Sequence, residues 1–132
     1  MVDLGTDIGL DADGDLDLAF PLISGRACLA ADLVRRLRTR LGSLFWALAV
    51  GISLEDQIQR AHSTASLARL RAQVVAECEG DERVLSARCT AEITAARTLK
   101  LRIGITDRTT TTEPFELVLE IDKVNVKVLQ SP

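Results

Sequence analysis

Carboxylates are the residues of this chain whose spacing comes closest to a metal-binding or catalytic pattern. The segment from Asp11 to Asp17 carries an acidic residue at every second position and a glycine at position 14. An EF-hand calcium loop needs glycine at its sixth position and glutamate at its twelfth. Aligning Gly14 as the sixth position places Gly9 first and Phe20 twelfth, and neither supplies a carboxylate. We therefore interpret the segment as a solvated turn, because Asp and Gly favour turns.

A second group of carboxylates lies on the predicted helices and can be compared with the requirements of glycoside hydrolysis. That chemistry needs two carboxyl groups that flank the scissile bond, one of them in an apolar pocket that raises its pKa. The helical candidates are Glu55, Asp56, Glu77 and Glu79, and all four are predicted to be exposed. The single histidine, His62, is predicted to lie in an exposed loop. We therefore predict no catalytic residue and no cofactor.

The three cysteines and a cluster of arginines have simple structural interpretations. Cys28, Cys78 and Cys89 lie in apolar stripes without the close spacing of zinc ligands, which predicts buried free thiols and no metal site. The arginines between Arg35 and Arg40 crowd the end of a predicted helix, where cations suit the negative end of the helix dipole. Because the net charge of the chain is -3, we expect no nucleic-acid partner.

Apolar patterning gives no indication of a membrane or an export signal. The longest apolar stretch, from Leu44 to Leu54, is too short to span a bilayer. The N-terminus carries Asp3 and Asp7 where a signal peptide would carry basic residues. We therefore expect no membrane contact and a protein made and kept in a cytoplasm.

The elements that position these residues fall into three zones of one domain of 132 residues. Residues 1–25 are predicted to form an acidic extended segment, residues 26–80 a helical part and residues 84–130 a β-sheet part. This order of elements is typical of an α+β fold.

The helical part contains two or three amphipathic helices. Leucines recur every four residues from Leu29 to Leu41, which predicts a helix that Gly42 ends. A short helix is predicted over 54–60. A longer one begins at Ser63 or at the threonine that follows it, and Gly80 ends it.

The last third of the chain reads as β-strand. Apolar and polar residues alternate in four runs, over 87–95, 99–106, 115–122 and 124–128. A period of two buries one set of side chains and exposes the other. Three or four strands cannot close a barrel, so at least one edge keeps unpaired backbone groups. Asp122 and Lys123 read either as a turn between two strands or as a bulge in one long strand.

These patterns predict an α+β fold in which two to three helices pack on one face of a small, open, mainly antiparallel C-terminal sheet. The helices and the buried sheet face share one apolar core. Its predicted members are Leu29, Leu33, Leu37, Leu67, Leu70, Val74, Ile93, Leu101, Ile103, Leu117, Leu119 and Ile121.

The order of elements and a few residues resemble a known family. Leu37, Thr39 and Gly42 fit a Leu-x-Thr-x-x-Gly segment, and Gly51 fits a second glycine that precedes the next helix. Over residues 5–129 the chain resembles the small baseplate wedge protein of contractile-tailed bacteriophages, the sheath-initiator (lysozyme-like) family. Relatives of that family occur in phage-derived contractile injection systems.

One departure from the family concerns its anchoring motif. Many members place a Glu, a Pro and an Arg after the first glycine, and this chain has Ser43, Leu44, Phe45 and Trp46 there. The contacts of that motif therefore do not transfer to these positions.

The resemblance implies a structural protein of a virion tail baseplate or injection-particle baseplate that is assembled in the bacterial cytoplasm. It implies several copies around a symmetric tail, with baseplate wedge proteins and sheath subunits as partners. In such machines the initiator joins the baseplate to the first sheath ring, and its open sheet accepts a strand from the sheath. Strand addition is also physically suited to an unclosed sheet. The same edge would serve the alternative function, a bacterial adaptor or chaperone-like module with another client. Because some relatives are described as lysozyme-like, a glycosidase is the remote alternative.

Partner binding is predicted at two places. One is the apolar stretch after the first helix, and the other is the end of the sheet. The predicted residues are Phe45, Trp46, Glu116, Glu120, Lys123, Val124, Val126, Lys127 and Val128.

Overall fold

The computed structural model describes residues 3–9, 18–39, 42–46, 51–52, 63–94, 98–109, 113–121, 126–130 and 132. The helices within these residues are α1 (Arg26–Arg38) and α2 (Thr64–Glu79). The strands are β1 (Thr6–Ile8), β2 (Leu22–Ser24), β3 (Val84–Ile93), β4 (Leu99–Asp107), β5 (Phe115–Ile121) and β6 (Val126–Gln130). The predicted fold class is confirmed: helices precede an open, antiparallel sheet.

The first helix is shorter than its leucine spacing predicts. It ends at Arg38, and Thr39 has extended backbone. The Thr39 hydroxyl and N–H both donate to the Arg35 carbonyl, at 2.7 and 2.9 Å. The Thr39 carbonyl then accepts from the Ile52 N–H at 3.1 Å. The predicted end at residues 41–42 is therefore wrong, because a contact with a distant segment draws the chain out of the helix.

The second helix begins and ends where its capping residues predict. The Ser63 side chain accepts from the Ser66 N–H at 3.1 Å, as an N-cap does, and Gly80 follows the last turn. The short helix predicted over 54–60, and His62, lie outside the described residues. One apolar stripe of α2 faces the core and contains Leu70, Val74 and Cys78.

The C-terminal sheet is a four-stranded antiparallel meander in the order β3-β4-β5-β6. The Thr94 N–H donates to the Thr98 carbonyl at 2.8 Å and continues the first hairpin ladder. Ile121 pairs with Val126 in an antiparallel register, so the chain reverses between β5 and β6. This excludes one long final strand, although residues 122–125 themselves lie outside the described part.

The core lies between the two helices and one face of the sheet. Ile93 was predicted to be a core residue and is instead 43% exposed. It is the last residue of an outermost strand and pairs with Leu99 alone, so few neighbours cover it. Leu67 packs only partly buried against the core. The other predicted members are all fully buried or nearly so: Leu29, Leu33, Leu37, Leu70, Val74, Leu101, Ile103, Leu117, Leu119 and Ile121.

The N-terminal segment forms a two-stranded hairpin, β1 with β2, and two arginines connect it to the rest of the chain. Arg35 of α1 pairs with Asp7 at 2.8 Å and donates to the Ile8 carbonyl at 3.2 Å. Arg83 donates to the Leu4 carbonyl at 2.8 Å and pairs with Asp32 of α1 at 3.0 Å. It also pairs with Asp81 at 2.7 Å. The guanidinium holds the pKa of Asp81 below its usual range, and the carboxylate raises the pKa of Arg83. Arg83 thus joins the hairpin, α1 and the start of the sheet.

Candidate functional site

The sheet has two outer edges, one at each end of the strand order. Among the described residues, β3 pairs with β4 alone and β6 pairs with β5 alone. The backbone N–H and C=O groups on the far side of each strand are therefore a template for another chain. These edges are the candidate site, since the sequence predicts partner binding by strand addition.

The hydrogen bonds of the first hairpin identify the outward groups of β3. Because the Thr94 N–H bonds across the ladder, the even-numbered residues of β3 are the ones bonded to β4. Backbone groups alternate in direction along an antiparallel strand. The odd-numbered residues therefore point away from β4. Cys89, Ala91 and Ile93 present their N–H and C=O groups at this edge.

Helix α2 covers the beginning of the β3 edge with one side chain. The outward Ala87 N–H donates to Oε1 of Glu79 at 3.3 Å. The ladder is also irregular between Val84 and Ser86. Natural proteins blunt edge strands by such covering and by bulges. The regular second half of β3 is left as the longer accessible edge.

The β6 edge is shorter and less regular. β6 contains five residues, and its register shifts opposite Val118 and Leu119. The same alternation places the N–H and C=O groups of Val126 and Val128 outward. The Val128 side chain is partly buried against the core. A strand added here would extend the buried face of the sheet.

The predicted partner-binding residues near β6 fall into three groups. Glu116 accepts a hydrogen bond from Arg102 at 2.6 Å, so it is engaged on the outer sheet face. Glu120 is exposed, and its backbone pairs with that of Lys127. Lys123 and Val124 lie outside the described residues, as do the side chains of Val126 and Lys127.

The predicted aromatic contacts are exposed. Phe45 is 84% and Trp46 70% accessible, and their rings meet edge to face with centroids 4.8 Å apart. Leu44 beside them is half-buried. Exposed paired aromatics supply large apolar area for binding, and Trp is enriched among residues that dominate interfaces. Residues 47–50 of this apolar stretch lie outside the described part.

The outer face of the sheet contains features that sequence reasoning missed. Arg88, Gly104 and Glu116 form one row across three strands. Gly104 leaves a gap there, because a Cβ at this position would meet no atom within 4 Å. A shallow cavity of about 210 Å³ lies over the row. The sequence feature that could have indicated this gap is Gly104, which takes a polar position in the alternation of β4. A glycine inside a strand often marks a site where a ligand or another backbone approaches closely.

Of the predicted helical carboxylates, Glu77 and Glu79 belong to the described residues and both accept hydrogen bonds within the fold, whereas Glu55 and Asp56 lie outside the described part. Glu77 was predicted to be exposed, yet its side chain is only 10% accessible. Its Oε1 accepts from Arg36 at 2.7 Å and from the Gly51 N–H at 2.8 Å. Gly51 has φ +100°, and a Cβ there would collide with the Thr39 carbonyl. Thr39 and Gly51, which carry the family resemblance, thus meet in one packed junction.

The one buried carboxylate in the described core lies at the end of β4. Asp107 accepts from Arg26 Nε at 2.8 Å and from the Thr109 N–H and hydroxyl. Arg26 also donates to the Glu113 carbonyl and stacks over Phe115, 5.6 Å from the ring centroid. Burial raises the pKa of Asp107, but the Thr109 hydrogen bonds and the Arg26 charge outweigh it and leave the pKa lowered. This anchor fastens α1 to the sheet.

The cysteines are free thiols, of which two are buried as predicted. Cys28 and Cys78 are buried, whereas Cys89 is half-buried on β3. Burial raises the pKa of Cys78 to about 12 and that of Cys89 to about 11. Both thiols are therefore protonated and unreactive near neutral pH.

The described parts of the chain contain neither a metal-ligand cluster nor a membrane-spanning helix. No group of three or more His, Cys, Asp or Glu residues is placed to bind a metal within the described ranges. Neither of the two described helices is long and apolar enough to cross a membrane. No protein-family model and no curated protein sequence matches the chain.

Proposed function

We propose that this protein is a structural component of a contractile tail or injection machine that joins the baseplate wedge to the first sheath ring. It does so by accepting a β-strand from a partner. The observation that carries the proposal is the open four-stranded sheet, whose outermost strands each pair on one side among the described residues. The resemblance of the chain to sheath-initiator proteins supplies the biological setting.

The β6 edge is the place where the sheath strand binds. Val126 and Val128 direct their N–H and C=O groups outward, so a visiting strand gains main-chain hydrogen bonds. Val128 lies beside Leu119, which is fully buried. The apolar face of a visiting strand would therefore continue the core, and its alternate side chains would set the register.

The aromatic pair provides a second, separate contact. Phe45 and Trp46 project from the helical part of the chain. A wedge protein that buries both rings would leave the β6 edge available to the sheath. Two surfaces on one small subunit are what a connector between two rings requires.

A proline substitution tests strand addition at β6. Val128→Pro removes an N–H that faces away from β5, and proline is tolerated where a strand N–H faces outward. Val128→Ala is the matched control, because it removes the same side-chain packing and keeps the N–H. We expect the proline variant to bind the sheath subunit about tenfold more weakly than the alanine variant. The measurement is co-purification and titration with the sheath subunit from the same gene cluster.

Two outcomes would contradict the proposal. If Val128→Pro remains folded by circular dichroism and binds the sheath subunit like Val128→Ala, strand addition at β6 is wrong. If the gene has no sheath, tube or spike genes beside it, the baseplate setting is wrong. The open edge would then favour the adaptor or chaperone-like function.

A further inference from the structure

The outer face of β3 carries two opposite charges that form no ion pair within the described chain, although Lys100 of β4 is the cross-strand neighbour of Glu92. Arg88 and Glu92 are both exposed on the outer face of β3, four residues apart. Neither belongs to an ion pair among the described residues, whereas Arg102 and Glu116 on the neighbouring strands pair at 2.6 Å. Four residues of extended strand span about 13 Å, so Arg88 and Glu92 cannot reach each other.

We propose that β3 pairs with β3 of a second copy of this chain, antiparallel and about a two-fold axis at Thr90. In this register Arg88 lies opposite Glu92 of the second copy, and Glu92 lies opposite Arg88. An isologous interface repeats each contact, so one register forms both ion pairs. The two sheets then join into one continuous sheet.

The backbone directions support this register. Cys89 of one copy faces Ala91 of the other, and both present outward N–H and C=O groups. These residues exchange two hydrogen bonds in each pair. Arg88 and Glu92 then occupy the other pair type, in which opposite Cα atoms lie about 4.5 Å apart and side chains are closest.

Charge also disfavours the alternative registers. Shifting the register by four residues in one direction brings Arg88 opposite Arg88 of the second copy. Shifting it by four residues in the other direction brings Glu92 opposite Glu92 of the second copy. Like charges directly opposite each other are destabilising. The intermediate registers place both charges opposite polar, uncharged residues, so they lose the two ion pairs without replacing them.

The core face of β3 is suited to this pairing. The register places Ile93, which is 43% exposed, opposite Ala87 of the second copy and covers it. The Ala87 N–H now donates to the exposed Glu79 side chain at 3.3 Å. In the dimer it would donate instead to the Ile93 carbonyl of the second copy. Ala87, Cys89 and Ala91 are small, which limits crowding where the two copies of α2 approach.

This inference does not rest on the proposed function. It uses the β3 edge, whereas sheath binding uses β6 at the opposite end of the strand order. In the dimer both β6 edges remain outermost. Loss of self-association would leave binding of the sheath subunit intact, and loss of sheath binding would leave the dimer intact.

Charge reversal tests the dimer and its register together. We expect the full chain to show a concentration-dependent monomer–dimer equilibrium in sedimentation experiments. Arg88→Glu and Glu92→Arg each turn two attractions into two repulsions, so each raises the dimer Kd about tenfold or more. The double variant Arg88→Glu/Glu92→Arg recreates both pairs with the signs exchanged, and its Kd returns to within about threefold of the wild-type value.

Glu120→Arg is the matched control for Glu92→Arg, because it makes the same charge change on the outer face of β5, away from the β3 edge. We expect it to leave the dimer Kd unchanged. A protein that remains monomeric at hundreds of micromolar would overturn the proposal. A dimer Kd that neither single reversal changes would also overturn it. The same holds if the double variant melts like wild type but keeps a raised dimer Kd, or if Glu120→Arg raises the dimer Kd as much as the single reversals do.

Discussion

The two faces of the four-stranded sheet are built from the same strands, yet one face forms the core and the other is accessible to solvent. Along β4 and β5 the odd-numbered residues, such as Ile103 and Leu119, are completely buried under the helices. Most even-numbered residues are polar or charged, and Arg102 and Glu116 among them are partly accessible. Val118 is the exception among the described residues of these two strands, because it lies on the outer face and is buried.

The difference shows how one small sheet can be both stable and available for binding. The free energy of folding is concentrated on the face that the helices cover, because apolar burial is the dominant favourable contribution. The outer face and the edges contribute little to stability, so their charges can determine which partner binds. Mixed charges also oppose unspecific edge-to-edge association.

Truncating a core-face residue should give the largest loss of stability. We expect Leu119→Ala to lower the free energy of unfolding by about 2–5 kcal/mol, because it removes buried methyl groups and leaves a cavity. Leu33→Ala in α1 should behave similarly, as Leu33 is equally buried. Chemical denaturation measures both. Glu120→Ala, the outer-face neighbour, is the control, and an equal loss there would break the comparison between the faces.

Removing the buried carboxylate should have an intermediate effect. We expect Asp107→Asn to cost about 2 kcal/mol at neutral pH, because the Arg26 guanidinium loses its charged acceptor. The pKa of Asp107 is lowered in the folded protein, so its contribution is present above the unfolded-state pKa and is lost as the pH falls through the folded-state value.

The pH dependence gives a second readout of the same anchor. The stability difference between wild type and Asp107→Asn should shrink below a pH of about 4. Glu82→Gln, at an exposed position, serves as the control. A difference that stays constant from pH 7 to 3 would show that the charge of Asp107 does not stabilise the fold.

The outer-face ion pair should have the smallest effect. Arg102 and Glu116 lie 2.6 Å apart, but their side chains are 53% and 39% accessible. A double-mutant cycle with alanine at both positions should give a coupling energy of about 0.2–1 kcal/mol, since exposed pairs are screened by water and salt. A coupling as large as the Leu119 loss would mean that the outer face also holds the fold together.

Local periodicity predicted much of the fold. The alternation over the last third of the chain predicted β3 to β6, and the residues that cap α2 predicted its ends. These signals lie within a few residues of the elements that they predict. The end of α1 was mispredicted because it depends on the contact between Thr39 and Ile52, which a local pattern does not contain.

The candidate site was only partly predictable for the same reason. An unclosed sheet follows from the number of strands, and the apolar stretch that contains Phe45 and Trp46 is visible in the sequence. The exposure of both rings is evident only in the structure. The outward backbone groups of β3 depend on the hydrogen-bond register with β4. The cover that Glu79 places on the Ala87 N–H depends on how α2 packs against the strand.

The sequence alone determined the class of the fold, the two faces of its strands and most of its core, because side-chain periodicity is a property of neighbouring residues. The tertiary structure decided which carboxylates are buried, which strands lie outermost and which charged side chains form ion pairs. Arg26 and Asp107 are 81 positions apart, and Arg83 and Leu4 are 79 apart. Such contacts exist only when distant segments pack together, so their effect on burial and charge appears only in the folded chain.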